Sequence, residues 1–467
     1  MFSKVRILIS LVIIILLSLF FFIDSHREKI TQAIISSEQL SRLDSIEFFT
    51  RPHERLSKLL TTENSRAWLH LAKLYAKQNA DIAFEVAEYY LQQNNIISAQ
   101  LWLKEAIRQQ HKEARLTLAN HYFKTKQYLE SRNLLLPILD NDRALVLSYK
   151  LAIQLGDTEF ISQNKTKLAN IENRDFYQLL LDFSVFSAAK SNINQECHVS
   201  VQLFATNLAG LQHGKNLTEQ FRQHKLARYV CLQSPKYVPS QELSCQTEIK
   251  QRITCRANVW ATRADISSRY IGLIVEQGGA NVDNGIMYID QQDDADVLAH
   301  ELSHFLGFVD EYPLPSQHQK CQRNQQTSFS YNLATLPERY YGERDKIRKR
   351  ILMQLPWASL IKDTTPILIK HGKGWKLTTP LKFQHEVGVF SARSCDKNNK
   401  VQAYKPYAHR TQLEYFELNF PQTYIDIMAL APKQYLMPSY HFNISRDLAL
   451  QGEYSRAREA LKAITFQ

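Results

Sequence analysis

The sequence predicts an α+β domain preceded by an all-α helical-repeat domain and an N-terminal transmembrane helix. Three observations carry this prediction. Lys4 and Arg6 stand before an apolar run from Ile7 to Ile23, and residues 30–189 read as helix after helix, without cysteine and almost without proline or glycine. Beyond residue 190, short apolar runs alternate with helical patterns, and all six cysteines appear there. At 467 residues the chain exceeds what one hydrophobic core organises, and 44% apolar with 22% charged residues is the composition of a folded chain.

The run from Ile7 to Ile23 is broken only by Ser10 and Ser18 and lies at the short end of what spans a bilayer. It is long for the apolar part of a signal peptide, and no small-x-small cleavage site follows. Residues 1–29 are therefore read as an uncleaved single-pass anchor, which places the rest of the chain on the extracytoplasmic side, periplasmic or extracellular. Cys197, Cys231, Cys245, Cys255, Cys321 and Cys395 agree with that side, because disulfides persist in oxidising compartments. No CxxC occurs, which argues against a cysteine zinc site. The net charge of +11 is spread along the chain. Its densest patch, Glu343 to Arg350, reads as a solvated helix face, so nucleic acid is not implied.

Within residues 30–189 two stretches align at a period of about 32, matching Ala87 to Ala119, Tyr90 to Tyr122 and Ala99 to Ser131. Ala87, Tyr90, Ala99 and Ala106 resemble the small and aromatic positions of tetratricopeptide repeats, with Ile138 departing where the last alanine of the second unit belongs. Such a domain either offers a concave surface to a protein partner or only spaces and supports the neighbouring domain. A lone unit of the same kind, residues 431–467, closes the chain as a helical hairpin turning at Gly452.

Residues 190–430 are read as the α+β domain. Residues 198–207 read as a strand, 217–230 as a helix and 270–277 as a buried strand; "NGIMYID" (284–290) is a further strand, running into "QQDDADVLAHELSHF". Asp293 and Asp294 supply an N-cap and an acidic first turn, and Gly307 ends the pattern. Leu298, Leu302 and Phe305 form the stripe to be buried. His300 and His304, four apart on another face, can reach one ion, with Glu301 held nearby without binding it.

The continuation sharpens the motif. "HELSHFLGFVD" resembles HExxHxxGxxH/D of the metzincin clan of zinc metallopeptidases, with aspartate in place of the usual histidine. The following Glu311 and Tyr312 make "DEY", similar to that of the immunoglobulin-A-protease family, whose spacer is one residue longer. The resemblance implies a metzincin-like catalytic domain: a twisted five-stranded sheet over the active-site helix, with an antiparallel edge strand, expected at 284–290. It implies one catalytic Zn²⁺ held by His300, His304 and Asp310, with Glu301 as general base and a methionine turn at Met428 or, alternatively, Met437. Glu311 stays open as the third ligand instead of Asp310. His371 and His385 are read as surface residues.

What this implies is a membrane-anchored zinc-dependent endopeptidase acting on protein or peptide substrates. The alternative is an inactive metallopeptidase-like repeat protein serving as an envelope scaffold. Glu301 beside both histidines favours the enzyme, since a site that only binds has no use for a base there.

Overall fold

A computed structural model describes Leu56, residues 65–171, 174–187, 198–249, 251–397 and 401–462. The expected anchor at residues 1–29 lies outside these. Among the described residues no helix is long and apolar enough to cross a membrane. The chain forms two compact units, residues 1–138 and 139–467.

The first unit is a run of short helices: α1 (Ser65–Tyr75), α2 (Ala80–Gln92), α3 (Ile96–Arg108), α4 (Lys112–Lys124) and α5 (Tyr128–Leu135). Asn79, Asn95 and His111 cap successive helices with side-chain acceptors, and left-handed residues recur before the caps at Asn94, Gln110 and Lys126 (φ 53°, 67° and 61°). Ala83, Ala87, Ala99, Ala106, Ala114 and Ala119 are buried where helices approach closely. Ser131 stands at the alanine-equivalent position because its Oγ donates to the Ala119 carbonyl (2.7 Å).

The boundary between units differs from the expected one at residue 189. Helix α6 (Asp142–Leu155) belongs to the second unit, where Leu145, Tyr149, Ala152 and Ile153 join the core of the sheet domain. The Tyr237 hydroxyl donates to the Ile153 carbonyl at 3.0 Å, fastening α6 to the sheet.

That sheet has five strands, β1 (Val199–Ala205), β2 (Val230–Tyr237), β3 (Tyr270–Val275), β4 (Asn281–Asp283) and β5 (Ile286–Asp290), in the order β2-β1-β3-β5-β4. The first four of that order run parallel and β4 is antiparallel to β5. The expected antiparallel edge over 284–290 is therefore corrected: β5 is internal, and the edge is β4, Asn281–Asp283. Every residue of β3 and β5 is buried, which explains why they read as unbroken apolar runs.

Alternate side chains serve two layers. Val201, Leu203, Tyr270, Ile274, Met287 and Ile289 face a core closed by α7 (Leu208–Phe221) and α8 (Ala295–Leu306). Phe204, Ile271, Leu273, Ile286 and Tyr288 face the other, which the C-terminal helices α10 (His441–Leu450) and α11 (Tyr454–Lys462) cover through Tyr440, Ile444, Leu448 and Ala457. α9 (Gln422–Leu430) packs into the first core. Residues 313–415 add two three-stranded sheets. Disulfides join Cys245 to Cys255 and Cys321 to Cys395, and Cys231 is also disulfide-bonded; Cys197 lies outside the described residues.

Candidate metal centre

Helix α8 begins where Asp294 accepts from the Asp296 and Val297 amides (both 3.0 Å). It ends at Gly307, whose φ of 102° belongs to the left-handed region. A Cβ there would stand 2.4 Å from the Tyr435 carbonyl oxygen, so glycine is required by conformation and by space. Leu298, Leu302 and Phe305 are fully buried as the stripe demands. On another face lie His300 and His304, with ring centroids 4.9 Å apart.

The turn after Gly307 brings Asp310 back to both imidazoles. Asp310 Oδ1 lies 3.0 Å from His300 Nε2 and 3.2 Å from His304 Nε2, and the two Nε2 atoms are 3.3 Å apart. Four-coordinate zinc with bonds of about 2.0–2.1 Å sets its donors roughly 3.3 Å from one another, so this donor set fits the ion in spacing as well as in chemistry. The tautomers fit too. His300 Nδ1 faces the Gln412 carbonyl (2.8 Å) and His304 Nδ1 the Phe308 carbonyl (3.0 Å). A carbonyl only accepts, so each Nδ1 carries hydrogen and each Nε2 lone pair points at the centre.

Glu311 turns the other way. Fully buried, it accepts from Lys405 Nζ (2.7 Å), Thr411 Oγ1 (2.9 Å), Asn332 Nδ2 (3.0 Å) and the Tyr424 hydroxyl. Its carboxylate is fully engaged, and Asp310 alone of the two acids meets the histidines. Backbone ties hold the same loop: Glu311 N to Leu413 O (2.8 Å), Val309 N to Asn332 Oδ1 (3.0 Å) and Ser394 Oγ to Asp310 O (2.8 Å).

Charge and burial oppose each other throughout. Burial alone would lower the basicity of His304, but the Asp310 carboxylate outweighs it and raises the pKa to about 9. Asp310 is held far below the usual carboxylate range because the two imidazoles overcome its own burial. Glu301 is 5% exposed, and burial pushes its pKa up against the pull of His304 and His300. Phe416 sets its ring edge-on to His300 (4.7 Å), and Tyr312, bonded through its hydroxyl to Asp310, lies parallel to that imidazole at 6.4 Å.

The structure thus gathers His300, His304 and Asp310, with Glu301 next along the helix and within electrostatic reach of all three. It leaves His371 and His385 exposed and outside the group. Met428 is fully buried inside helix α9, so the chain does not turn there. The turn falls at residues 432–435, and Met437 follows it, its sulfur accepting from the Gly285 amide (3.3 Å). Sequence reasoning missed Gln412, Asn332, Lys405, Thr411 and Tyr424, which carry no local motif and meet the site only through tertiary folding.

No family model matches the chain, and no curated protein and no solved structure matches it significantly.

Proposed function

We propose that the chain is a zinc-dependent peptidase, membrane-anchored with its bulk in an oxidising, extracytoplasmic compartment. The observation that carries this reading is the convergence of His300 Nε2, His304 Nε2 and Asp310 Oδ1 at 3.0–3.3 Å, with both Nδ1 atoms committed to carbonyls. The parallel sheet with one antiparallel edge strand agrees with it, and the disulfides agree with the compartment.

His300, His304 and Asp310 would hold the ion, and bound zinc supplies Lewis acidity that polarises a carbonyl and acidifies water. Glu301 is the proton carrier. Its carboxylate takes a proton from the attacking water and returns it to the departing amine, and burial gives it more basicity than an exposed glutamate has. Asp310, being anionic, lowers the net charge of the site and tempers its electrophilicity relative to a third histidine.

Purified full-length protein should contain about one zinc per chain and hydrolyse peptides. Glu301→Gln should keep the zinc and lose at least about a hundredfold of the rate, the scale of a lost general base. Equal rates for both proteins would move the chemistry away from Glu301.

A further inference from the structure

Lys320 sits half-buried with its ammonium 5.4 Å from the Phe329 ring centroid and forms no ion pair among the described residues. Withdrawing an ammonium from water without a carboxylate partner is costly. Burial accordingly lowers its basicity, with the Asp310 charge acting in the opposite direction. Two residues earlier, His318 Nδ1 is buried with no hydrogen-bond partner. A third group, the exposed Arg252, lies within electrostatic reach of both His318 and Tyr312 and likewise forms no ion pair among the described residues.

These residues come from two stapled loops. The Cys245–Cys255 bridge brackets Arg252, whose segment also pairs with Gly279 beside edge strand β4. The Cys321–Cys395 bridge fixes the turn carrying His318 and Lys320. Cys395 follows Ser394, the residue whose hydroxyl holds the Asp310 carbonyl, so Lys320 and the metal-facing carboxylate share one frame. Spare donors held this rigidly match an anion supplied from outside the chain.

We propose that Lys320, assisted by Arg252 and His318, forms a carboxylate-binding subsite beside the His300–His304–Asp310 group, selecting peptides that carry a carboxylate close to the bond to be cut. This rests on the peptidase reading. The carboxylate is either the substrate's C-terminus or an acidic side chain, and both present the same chemistry to Lys320.

The test uses zinc-loaded full-length Glu301→Gln protein, which binds without turnover, and three probes: N-acetyl-Ala-Phe-Ala with a free C-terminus, the same peptide amidated, and amidated N-acetyl-Ala-Phe-Asp. Calorimetry should show a carboxylate-bearing probe binding at least about tenfold tighter than the amidated alanine peptide, the effect of one charge-assisted contact. Tight binding of the free acid alone identifies the C-terminus; tight binding of the aspartyl amide identifies a side chain. Adding Lys320→Met, which keeps an apolar stem against Phe329, should erase the preference; Lys320→Arg should retain it, and exposed Arg252→Gln should weaken it without affecting folding. Equal affinity for all three probes, binding of none, or a preference that survives Lys320→Met overturns the subsite. Wild-type protein that cleaves all three peptides equally would lose the subsite and keep the peptidase reading. A chain that neither holds zinc nor cleaves, yet still prefers the free acid through Lys320, would do the reverse.

Discussion

Replacing each of the adjacent acids Asp310 and Glu311 by alanine should produce opposite phenotypes. Glu311 pairs with Lys405 at 2.7 Å, and their side chains are 0% and 5% exposed. Removing one partner of a buried pair costs about 3–5 kcal/mol, because the remaining charge is left uncompensated. Asn332, Thr411 and Tyr424 would also lose their acceptor, so Glu311→Ala should remove at least about 4 kcal/mol from a domain whose whole margin is roughly 5–15. Lys405→Met added to Glu311→Ala should recover part of that loss. Asp310 is 19% exposed at its side chain, so its removal should cost less stability than that of the fully buried Glu311. It should instead strike zinc binding: if three ligands share a binding energy on the order of 10 kcal/mol, each accounts for roughly 3, or at least about a hundredfold in affinity. Asp310→His should restore most of it. The assay is zinc affinity by competition with a chelator, alongside thermal unfolding of the full-length chain. Zinc lost in Glu311→Ala and kept in Asp310→Ala would refute the reasoning.

Other changes have outcomes as definite. Gly307→Ala should destabilise the chain by about 3 kcal/mol or more, since both the φ of 102° and the Tyr435 carbonyl oppose a side chain; an unchanged melting temperature would contradict it. Breaking Cys321–Cys395, which spans 74 residues, should cost about 4 kcal/mol, more than the roughly 3 expected for Cys245–Cys255 across 10, as read by unfolding of the serine variants. Burial, together with the neighbouring Asp290 and Asp294, raises Asp293 to about 6, against a hydrogen bond from the Asp290 amide. A raised folded pKa gives stability that is present below about pH 4 and lost as pH rises through 6, by up to about 3 kcal/mol, so Asp293→Asn should stabilise at pH 7 and lose that advantage by pH 4. Identical pH profiles for variant and wild type would remove Asp293 from the account.

Helix α8 was legible because its signals are local: Asp294 at the cap, Gly307 at the end and a stripe of Leu298, Leu302 and Phe305. Strands β3 and β5 were legible because burial on both faces leaves no polar interruption. Helix α7 was misplaced, expected at 217–230 and found at Leu208–Phe221. Gly210 and Gly214 lower the helix propensity of that stretch, yet a Cβ on Gly214 would stand 2.6 Å from Ile274 Cδ1, so close packing on the sheet overrides helix propensity. Edge strand β4 spans three residues, too few to show a period. The motif located His300, Glu301 and His304, and spacing favoured Asp310, but no spacing rule joins Glu311 to a lysine 94 residues away.

The same geometry favours the proposed metal centre over a buried polar cluster that merely stabilises the fold. With both Nδ1 atoms donating to carbonyls, neutral imidazoles would turn two Nε2 lone pairs toward a carboxylate oxygen 3.0–3.2 Å away, three acceptors facing one another without a donor. A cation at the centre relieves that conflict. In the metal-free chain a proton on His304 takes that role, because Asp310 raises that imidazole to about 9 despite burial. Zinc must displace this proton, so its affinity should climb with pH toward 9. Hydrophobic residues would fill the same volume at no electrostatic cost. Instead, Gln412, Phe308, Ser394 and the four partners of Glu311 fix the three acceptors in mutual opposition, an arrangement that stabilises a cation far better than it stabilises the fold.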